Sequence, residues 1–484
     1  MAGGDTRHSA APSGRRFRRW TAALVAVVLV LAGLSFVFDL GPRWLGWDYP
    51  SPITEPAKVA PPPGLTLPSP AQAAAVAPAS QERVADPAAV RRAVARLIRD
   101  KDLGPRVAVA VAQLSDGETV YETGPSSVTP ASTMKMLTSA AALAALGPDH
   151  TFRTTVVAGA SPRDVVIVGG GDPLLARSPD SDMYPARADI VTLAKATARS
   201  LKRLGRNRVR LGYDTSLFEG PPVSPAWKAS YIPDDVVSPI SALWVDEGLE
   251  PGGGSREADP AQAAAVEFAE VLKKQGIKIR GNPRPAVAAP DAEEYAFVQS
   301  APLSQIVQWT LEVSDNETAE VLFRHVALAE GRPGSFVGGA AAVGDVLSRL
   351  GVDASADRIY DGSGLSRKNR LSPQTLLSVV EVSSSEEYPE LRTVVSGLPV
   401  AGFTGSLAYR FEDGDEEGLG RVRAKTGTLT GVHGLAGVVT DKSGTVMAFV
   451  AIADRVKVAD TLDARQRIDQ VAAALAACAC AATP

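Results

Sequence analysis

Apolar and polar positions change period several times along this chain, and the changes divide it. Residues 88–99 (AAVRRAVARLIR) carry apolar residues at helical spacing. Residues 107–114 alternate as a strand, Asp116-Gly117 supplies a hairpin turn, and residues 119–122 return as the partner. A helix is predicted from Pro130 to Leu146, with proline near its start and Gly147 just past its end. Over residues 153–299 the pattern breaks into short apolar runs punctuated by glycine and proline, with strands expected at 165–168, 209–211 and 296–298. Helical periodicity returns over 302–330. Strands follow at 422–425, 433–440 and 446–453, with turns at Thr430-Gly431 and Lys442-Ser443-Gly444, and a helix over 459–477 closes the pattern. Strands near both ends with helices between them give an α+β fold class.

The N-terminal part reads differently. Arg15, Arg16, Arg18 and Arg19 precede an uncharged apolar run over 20–38, close to the roughly 20 residues that cross a bilayer. The arginines place that end in the cytoplasm and all that follows outside. A cleaved signal peptide shares the basic start, but the run is long for one and no small-x-small site follows it, so the reading is an uncleaved anchor. Residues 49–80, rich in proline and alanine and including Pro61-Pro62-Pro63, read as an extended linker. The organisation expected is a basic segment (1–19), an anchor or signal segment (20–38) and a linker (39–83). A catalytic domain in two pieces (84–152 and 300–478) then encloses an insertion (153–299), and a tail (479–484) ends the chain.

Composition removes several function classes. A net charge of -4 gives no polyanion-binding signal, so nucleic acid is set aside. The four histidines, His8, His150, His325 and His433, stand singly, and no clustered ligand spacing suggests a metal. The strand at 165–168 followed by Gly169-Gly170-Gly171 resembles a dinucleotide turn, but the third glycine of that fingerprint is missing and Pro173 stands where the helix should start. Asp234-Asp235 and Glu386-Glu387 read as solvated charges. Cys478 and Cys480 are the only cysteines, which leaves either an inert tail or a local or intermolecular redox link.

Candidate chemistry comes from three motifs in order: Ser132-Thr-Met-Lys135, Ser314-Asp-Asn316 and Lys425-Thr426-Gly427-Thr428. Alone, each has an ordinary explanation as a capping serine, a helix N-cap or an edge strand. Together they describe a serine nucleophile activated by lysine. Positions three apart share a helix face, so Ser132 and Lys135 can meet, and burial with Lys425 as a nearby cation would favour a neutral Lys135. A loop between helices would aim Ser314 and Asn316 at a cleft, for proton relay and for a substrate amide. Lys425, Thr426 and Thr428 suit a substrate carboxylate, and Gly427 permits close approach. The N–H groups of Thr428 and Ser132 could form an oxyanion hole.

With these motifs placed, the chain resembles the serine D-Ala-D-Ala carboxypeptidases and endopeptidases of the DacB-type, or S13, branch of low-molecular-mass penicillin-binding proteins. Gly169-Gly-Gly-Asp172-Pro173, Tyr213-Asp-Thr-Ser-Leu-Phe218, Pro239-Ile-Ser-Ala-Leu243, Asp361-Gly-Ser-Gly-Leu-Ser-Arg367 and Phe403-Thr-Gly-Ser-Leu407 also fit that branch. The resemblance implies a β-lactamase/transpeptidase-like catalytic domain, an antiparallel sheet flanked by helices, with a large inserted domain. It implies Ser132 as nucleophile, Lys135 as base, and Ser314, Asn316, Lys425, Thr426 and Thr428 in relay and binding roles. Peptidoglycan stem peptides would be substrates, β-lactams covalent inhibitors, and no cofactor is expected. The rivals are a β-lactamase and a silent wall-binding module; the long insertion and the 361–367 segment speak against the first, and intact Ser132, Lys135 and Lys425 against the second.

Overall fold

The computed structural model describes residues 83–412 and 415–482. The basic segment, the apolar run at 20–38 and nearly all of the linker lie outside the described residues. Among the described residues no helix is long and apolar enough to cross a membrane.

In chain order the first elements are helix α1 (Pro87–Val94), strands β1 (Val107–Gln113) and β2 (Thr119–Thr123), and helix α2 (Met134–Leu146). Asp86 caps α1 through the Ala88 N–H, with Pro87 in its first turn. The helix expected over 88–99 stops at Val94, and Leu97–Arg99 continue as a 3-10 turn. Next come β3 (Arg153–Ala158), β4 (Asp164–Val168), α3 (Ile190–Arg203), β5 (Arg208–Asp214), α4 (Pro260–Lys274), β6 (Lys278–Ile279), β7 (Arg284–Pro285) and β8 (Glu294–Gln299). Helices α5 (Leu303–Val313), α6 (Asn316–Ala329), α7 (Phe336–Arg349), α8 (Pro373–Ser384) and α9 (Arg392–Ser396) follow. Strands β9 (Val422–Leu429), β10 (Val432–Thr440) and β11 (Val446–Ala453) then lead to α10 (Thr461–Ala477).

The first sheet has the order β2-β1-β11-β10-β9 and is antiparallel throughout. Its centre pairs β1 with β11, Val109 opposite Ala451, so the two ends of the described chain build one sheet. Alternation gives it two apolar faces. Ala108, Ala110, Ala112, Ala436 and Ala448 face α2 and the helices around it, and these short side chains let α2 come close. Val109, Val111, Leu435 and Phe449 face the other way, onto α1 and α10. Buried from Met134 to Leu143, α2 is a core helix with no solvent face over that length.

Residues 153–299 build a second, mixed sheet of order β6-β5-β4-β3-β8, in which β7 also pairs β5. Its core joins Val156, Ile167 and Leu211 to Leu193 of α3 and Phe268 of α4. Neither α3 nor α4 emerges from a reading of short apolar runs alone. The signals are nonetheless present: Asp189 and Asp259 cap them, through the N–H groups of Thr192 and Gln262, and Pro260 opens α4. The glycines at 169–171 have a packing reason: Cβ atoms there would collide with the Ala242 carbonyl, the Arg153 carbonyl and the His325 ring. Asp234, Asp235, Glu386 and Glu387 are exposed.

The C-terminal segment is fastened down. Cys478 and Cys480 are joined in a local disulfide. Cys480 is buried; its N–H donates to Asp441 Oδ2 at 2.7 Å and its carbonyl accepts from Asp86 N–H at 2.6 Å.

Candidate active site

The first motif sits on a strained turn. Ala131–Thr133 form a single 3-10 turn before α2 begins at Met134, so Ser132 precedes the α-helix proper. Ala131 holds φ 48°, a left-handed value that costs a non-glycine residue about 1 kcal/mol or more. Two glycines make room for it. A Cβ on Gly427 would stand 2.8 Å from the Pro130 carbonyl and 3.2 Å from Thr133 Cγ2, and one on Gly364 would collide with the Ala131 carbonyl. On the approach side, Asp454 accepts from Arg106 Nε (2.9 Å) and Thr129 N–H (3.1 Å), which ties this loop to the end of β11.

Lys135 is wholly buried. Its Nζ lies 3.0 Å from Ser132 Oγ, 2.8 Å from Asn316 Oδ1 and 2.9 Å from the Ser363 carbonyl. The orientation of the Asn316 amide is fixed at its other end, where Nδ2 donates to the Val236 carbonyl at 3.0 Å. A neutral amine has two N–H bonds and one lone pair. Two of the three neighbours can only accept, so Asn316 and Ser363 take the N–H bonds and the lone pair is left facing the Ser132 hydroxyl. That geometry can remove a proton from Ser132.

Burial lowers Lys135 to about 8, against the charges of Asp315, Glu320, Asp361 and Glu317, which raise it. Lys425 is likewise held well below its ordinary value, first by burial and then by Lys135 and Arg410. No carboxylate pairs with Lys425 among the described residues; Nζ lies 3.3 Å from the Thr426 carbonyl.

The second motif joins two helices. Helix α5 ends at Val313, Ser314 turns the chain at φ 65°, and Asp315 caps α6 through the Thr318 N–H (2.9 Å). Asn316, the first residue of α6, reaches Lys135. The role of binding a substrate amide expected for Asn316 is left with its one remaining Nδ2 hydrogen. The Ser314 hydroxyl hydrogen-bonds to neither Ser132 nor Lys135 among the described residues. Glu247, Asp315 and Glu317 bring oxygens within 4.8 Å of one another. Arg256 lies 3.0 Å from Glu317 and Arg187 4.0 Å from Glu247, while Trp309 Nε1 donates to Asp315. Glu317 and Asp315 are thus engaged by a protein cation and by donors, while Glu247, raised well above its ordinary value by burial and by the charges of Asp315 and Glu317, lies against Asp315.

The third motif lies on β9, the edge strand. Ala424 N–H and the Val422 carbonyl bond away from the sheet, to Pro399 and Ala401. Period two then puts the N–H groups of Thr426 and Thr428 on the same open edge, free for an oxyanion or a carboxylate. The Lys425 side chain, paired across from Ala436, faces α2, and those of Thr426 and Thr428 face the opposite side. Thr426 Oγ1 meets Ser406 Oγ at 3.0 Å.

Sequence reasoning passed over the loop at 361–369 as a site element. Asp361, fully buried, accepts from Trp227 Nε1 (2.7 Å), Asn369 Nδ2 (2.6 Å) and the N–H groups of Gly364 (3.0 Å) and Ser366 (2.5 Å). The loop so held delivers the Ser363 carbonyl to Lys135. Its only sequence signal is the Asp361–Arg367 run.

The profile of the D-Ala-D-Ala carboxypeptidase 3 (S13) family matches residues 90–251 and 253–475. The chain belongs to that family. It is 33% identical over 468 residues to a carboxypeptidase of Mycobacterium tuberculosis, covering 95% of this chain and 96% of that one. It is 35% identical over 432 residues to carboxypeptidase DacB of Mycolicibacterium smegmatis, covering 85% and 92%. Among solved structures, penicillin binding protein 4 (dacB) of Haemophilus influenzae shares the fold with a TM-score of 0.63 at 23% identity, over 78% of this chain and 97% of that one. Membership sets the activity class of this S13 enzyme: a serine-type carboxypeptidase directed at D-Ala-D-Ala.

The tight seat of Gly427 against the Ser132 turn gives a direct test. Gly427→Ala is expected to leave a folded protein with its thermal midpoint lowered by a few degrees, and to lose at least about tenfold in D-alanine release as the turn is pushed aside. Unchanged release would show that the contact does not hold Ser132 in place.

Proposed function

We propose that this carboxypeptidase trims peptidoglycan stem peptides ending in D-Ala-D-Ala through an acyl-enzyme on Ser132, with Lys135 as its base. The observation that carries the reading is the Lys135 amine, whose two acceptor-only neighbours leave its lone pair to Ser132. Ser132 Oγ attacks the carbonyl carbon of the penultimate D-alanine while its proton passes to Lys135 Nζ. The N–H groups of Ser132 and Thr428 receive the oxyanion. As the intermediate collapses the C–N bond breaks, the leaving amine takes that proton by way of Ser314, and D-alanine departs. Water then splits the ester, restoring the Ser132 hydroxyl and leaving the shortened stem with a new carboxylate.

Asn316 braces Lys135 and offers its remaining N–H to the substrate. Lys425, buried without a counter-ion among the described residues, takes the terminal carboxylate with help from Thr426 and Thr428, and Gly427 lets the ligand approach. Residues 84–152 and 300–478 act as the penicillin-binding domain around the insertion at 153–299, and β-lactams acylate the same serine. A substrate in the wall places the enzyme outside the cytoplasm, and the run at 20–38 anchors it there.

Ser132→Ala is expected to abolish covalent labelling by fluorescent penicillin and D-alanine release from a stem peptide, in a protein that stays folded. Labelling that survives in the mutant removes Ser132 as nucleophile, and rapid turnover of the wild-type adduct would make the chain a β-lactamase. Cleavage of cross-linked stems without D-alanine release would make it an endopeptidase.

Only the neutral form of Lys135 can accept the serine proton, so acylation should rise with pH through the lysine titration at about 8. A penicillin acylation rate that is flat or falling from roughly pH 6 to 9 contradicts Lys135 as base. Lys425→Ala should cost far more on stem peptides with a free terminal carboxylate than on amidated ones. Equal losses on both would remove its recognition role.

A further inference from the structure

Helix α6 carries a second buried group toward the site, one turn beyond Asn316. Glu320 is fully buried, and its two oxygens accept consecutive backbone N–H groups, Gly362 at 3.0 Å and Ser363 at 2.8 Å. The carbonyl of that same Ser363 accepts from Lys135 Nζ at 2.9 Å, and the Gly362 carbonyl accepts from Thr138 Oγ1 at 2.7 Å. The loop is thus gripped by α2 through its carbonyls and by α6 through its N–H groups. A carboxylate is the side chain that offers two acceptors to two neighbouring N–H groups; a glutamine would turn an NH2 against one of them.

The charges near Lys135 are not equivalent. Asp361 is held by four donors, Asp315 by Thr318 and Trp309, and Glu317 by Arg256 and the Ser238 N–H. The neighbouring Lys425, where it is protonated, carries the same sign as an ammonium on Lys135 and opposes it. Glu320 makes no ion pair among the described residues; Arg324, one turn on, spends its guanidinium on the carbonyls of Glu219, Pro221 and Gly334. The Glu320 charge acts on Lys135 beside those of Asp315, Asp361 and Glu317, and on Arg324 as well. Burial raises the Glu320 carboxyl to about 8, with Asp361 adding to the rise and the Gly362 and Ser363 bonds opposing it.

We propose that Glu320 is the positioning residue of the Lys135 base: it holds the Ser363 carbonyl on Lys135 Nζ, and its charge, beside those of the other nearby acids, raises the pH at which that amine is freed to take the Ser132 proton. The inference rests on the reading of Lys135 as base given above.

The test uses the full chain with Glu320→Gln and Glu320→Asp beside wild type. It follows penicillin acylation from roughly pH 5 to 10 and the Lys135 titration by 13Cε NMR, assigned with Lys135→Arg. Glu320 and Lys135 titrate over the same range, so the Glu320 charge develops across the acid limb itself; Glu320→Gln removes it, and the acid limb and the NMR midpoint should both move down by about half a pH unit. The plateau rate should fall about tenfold as the loop shifts. Glu320→Asp keeps the charge but cannot span both N–H groups, so it should lower the plateau with the limb close to wild type. This variant carries the rate measurement if Glu320→Gln does not fold. A lower thermal midpoint with an unmoved Lys135 titration in folded Glu320→Gln would overturn the proposal, leaving Glu320 a packing residue. Glu320→Asp at the full wild-type plateau would overturn the positioning half. A wild type that resists acylation while the Lys135 midpoint still moves in Glu320→Gln would sink the Lys135 reading and leave the hold of Glu320 on Lys135 standing.

Discussion

The structure turns on keeping one lysine amine buried between three oxygens. An ammonium moved away from water without partners carries a penalty of several kcal/mol. Lys135 meets it with Asn316 Oδ1, the Ser363 carbonyl and Ser132 Oγ, at 2.8 to 3.0 Å. None of the three carries a formal charge. A carboxylate in direct contact would have locked the proton on; neutral acceptors leave an amine near the point where it can be given up. The surrounding acids reach Lys135 only across backbone or at a distance.

Each of those oxygens comes from a different part of the chain, and this accounts for much of the architecture. Ser132 stands on the strained turn that Gly364 and Gly427 make room for. Asn316 is aimed by the left-handed Ser314 and the Asp315 cap, and its amide is held by Val236 from the segment between the first two motifs. That segment also supplies Trp227 to Asp361 and the Ser238 N–H to Glu317. Residues 153–299 therefore brace Asn316 and the loop that hold Lys135, as well as building a sheet of their own.

Much of this was legible in the sequence where a signal is local. The strands expected at 107–114, 433–440 and 446–453 and the break at Ser314 follow from period, glycine and proline and fall within a residue of the observed ones, whereas the helix expected from Pro130 opens at Met134, after the 3-10 turn. Of the residues the three motifs named, Ser132 and Asn316 meet Lys135. What escaped was either non-local or read at the wrong period. Helices α3 and α4 have sound caps, but lie among glycine-rich loops and short strands that dominate a window of that length. The Ser363 carbonyl is a backbone atom, and no residue type announces it. Glu320 looks like any acidic residue on an amphipathic helix, since its importance lies in which N–H groups the fold brings to it. The Cys478–Cys480 pair was open in the sequence and is a local disulfide in the fold, beside the Asp441 and Asp86 bonds that hold the segment.

The two buried lysines make opposite use of the same low-dielectric interior. Lys135 is surrounded by acids at one remove and keeps its affinity for a proton at about 8. Lys425 has no acid beside it among the described residues and is pushed well below its ordinary value, with Lys135 adding to the push. Coupling between titrating groups is reciprocal: whatever Lys135 does to Lys425, Lys425 does in return. A carboxylate arriving at Lys425 favours its charged form, and the arriving negative charge offsets what that ammonium would do to Lys135. In the proposed reaction the terminal carboxylate of the substrate thus supplies the counter-ion that Lys425 lacks among the described residues and leaves the proton balance of the base to its own surroundings.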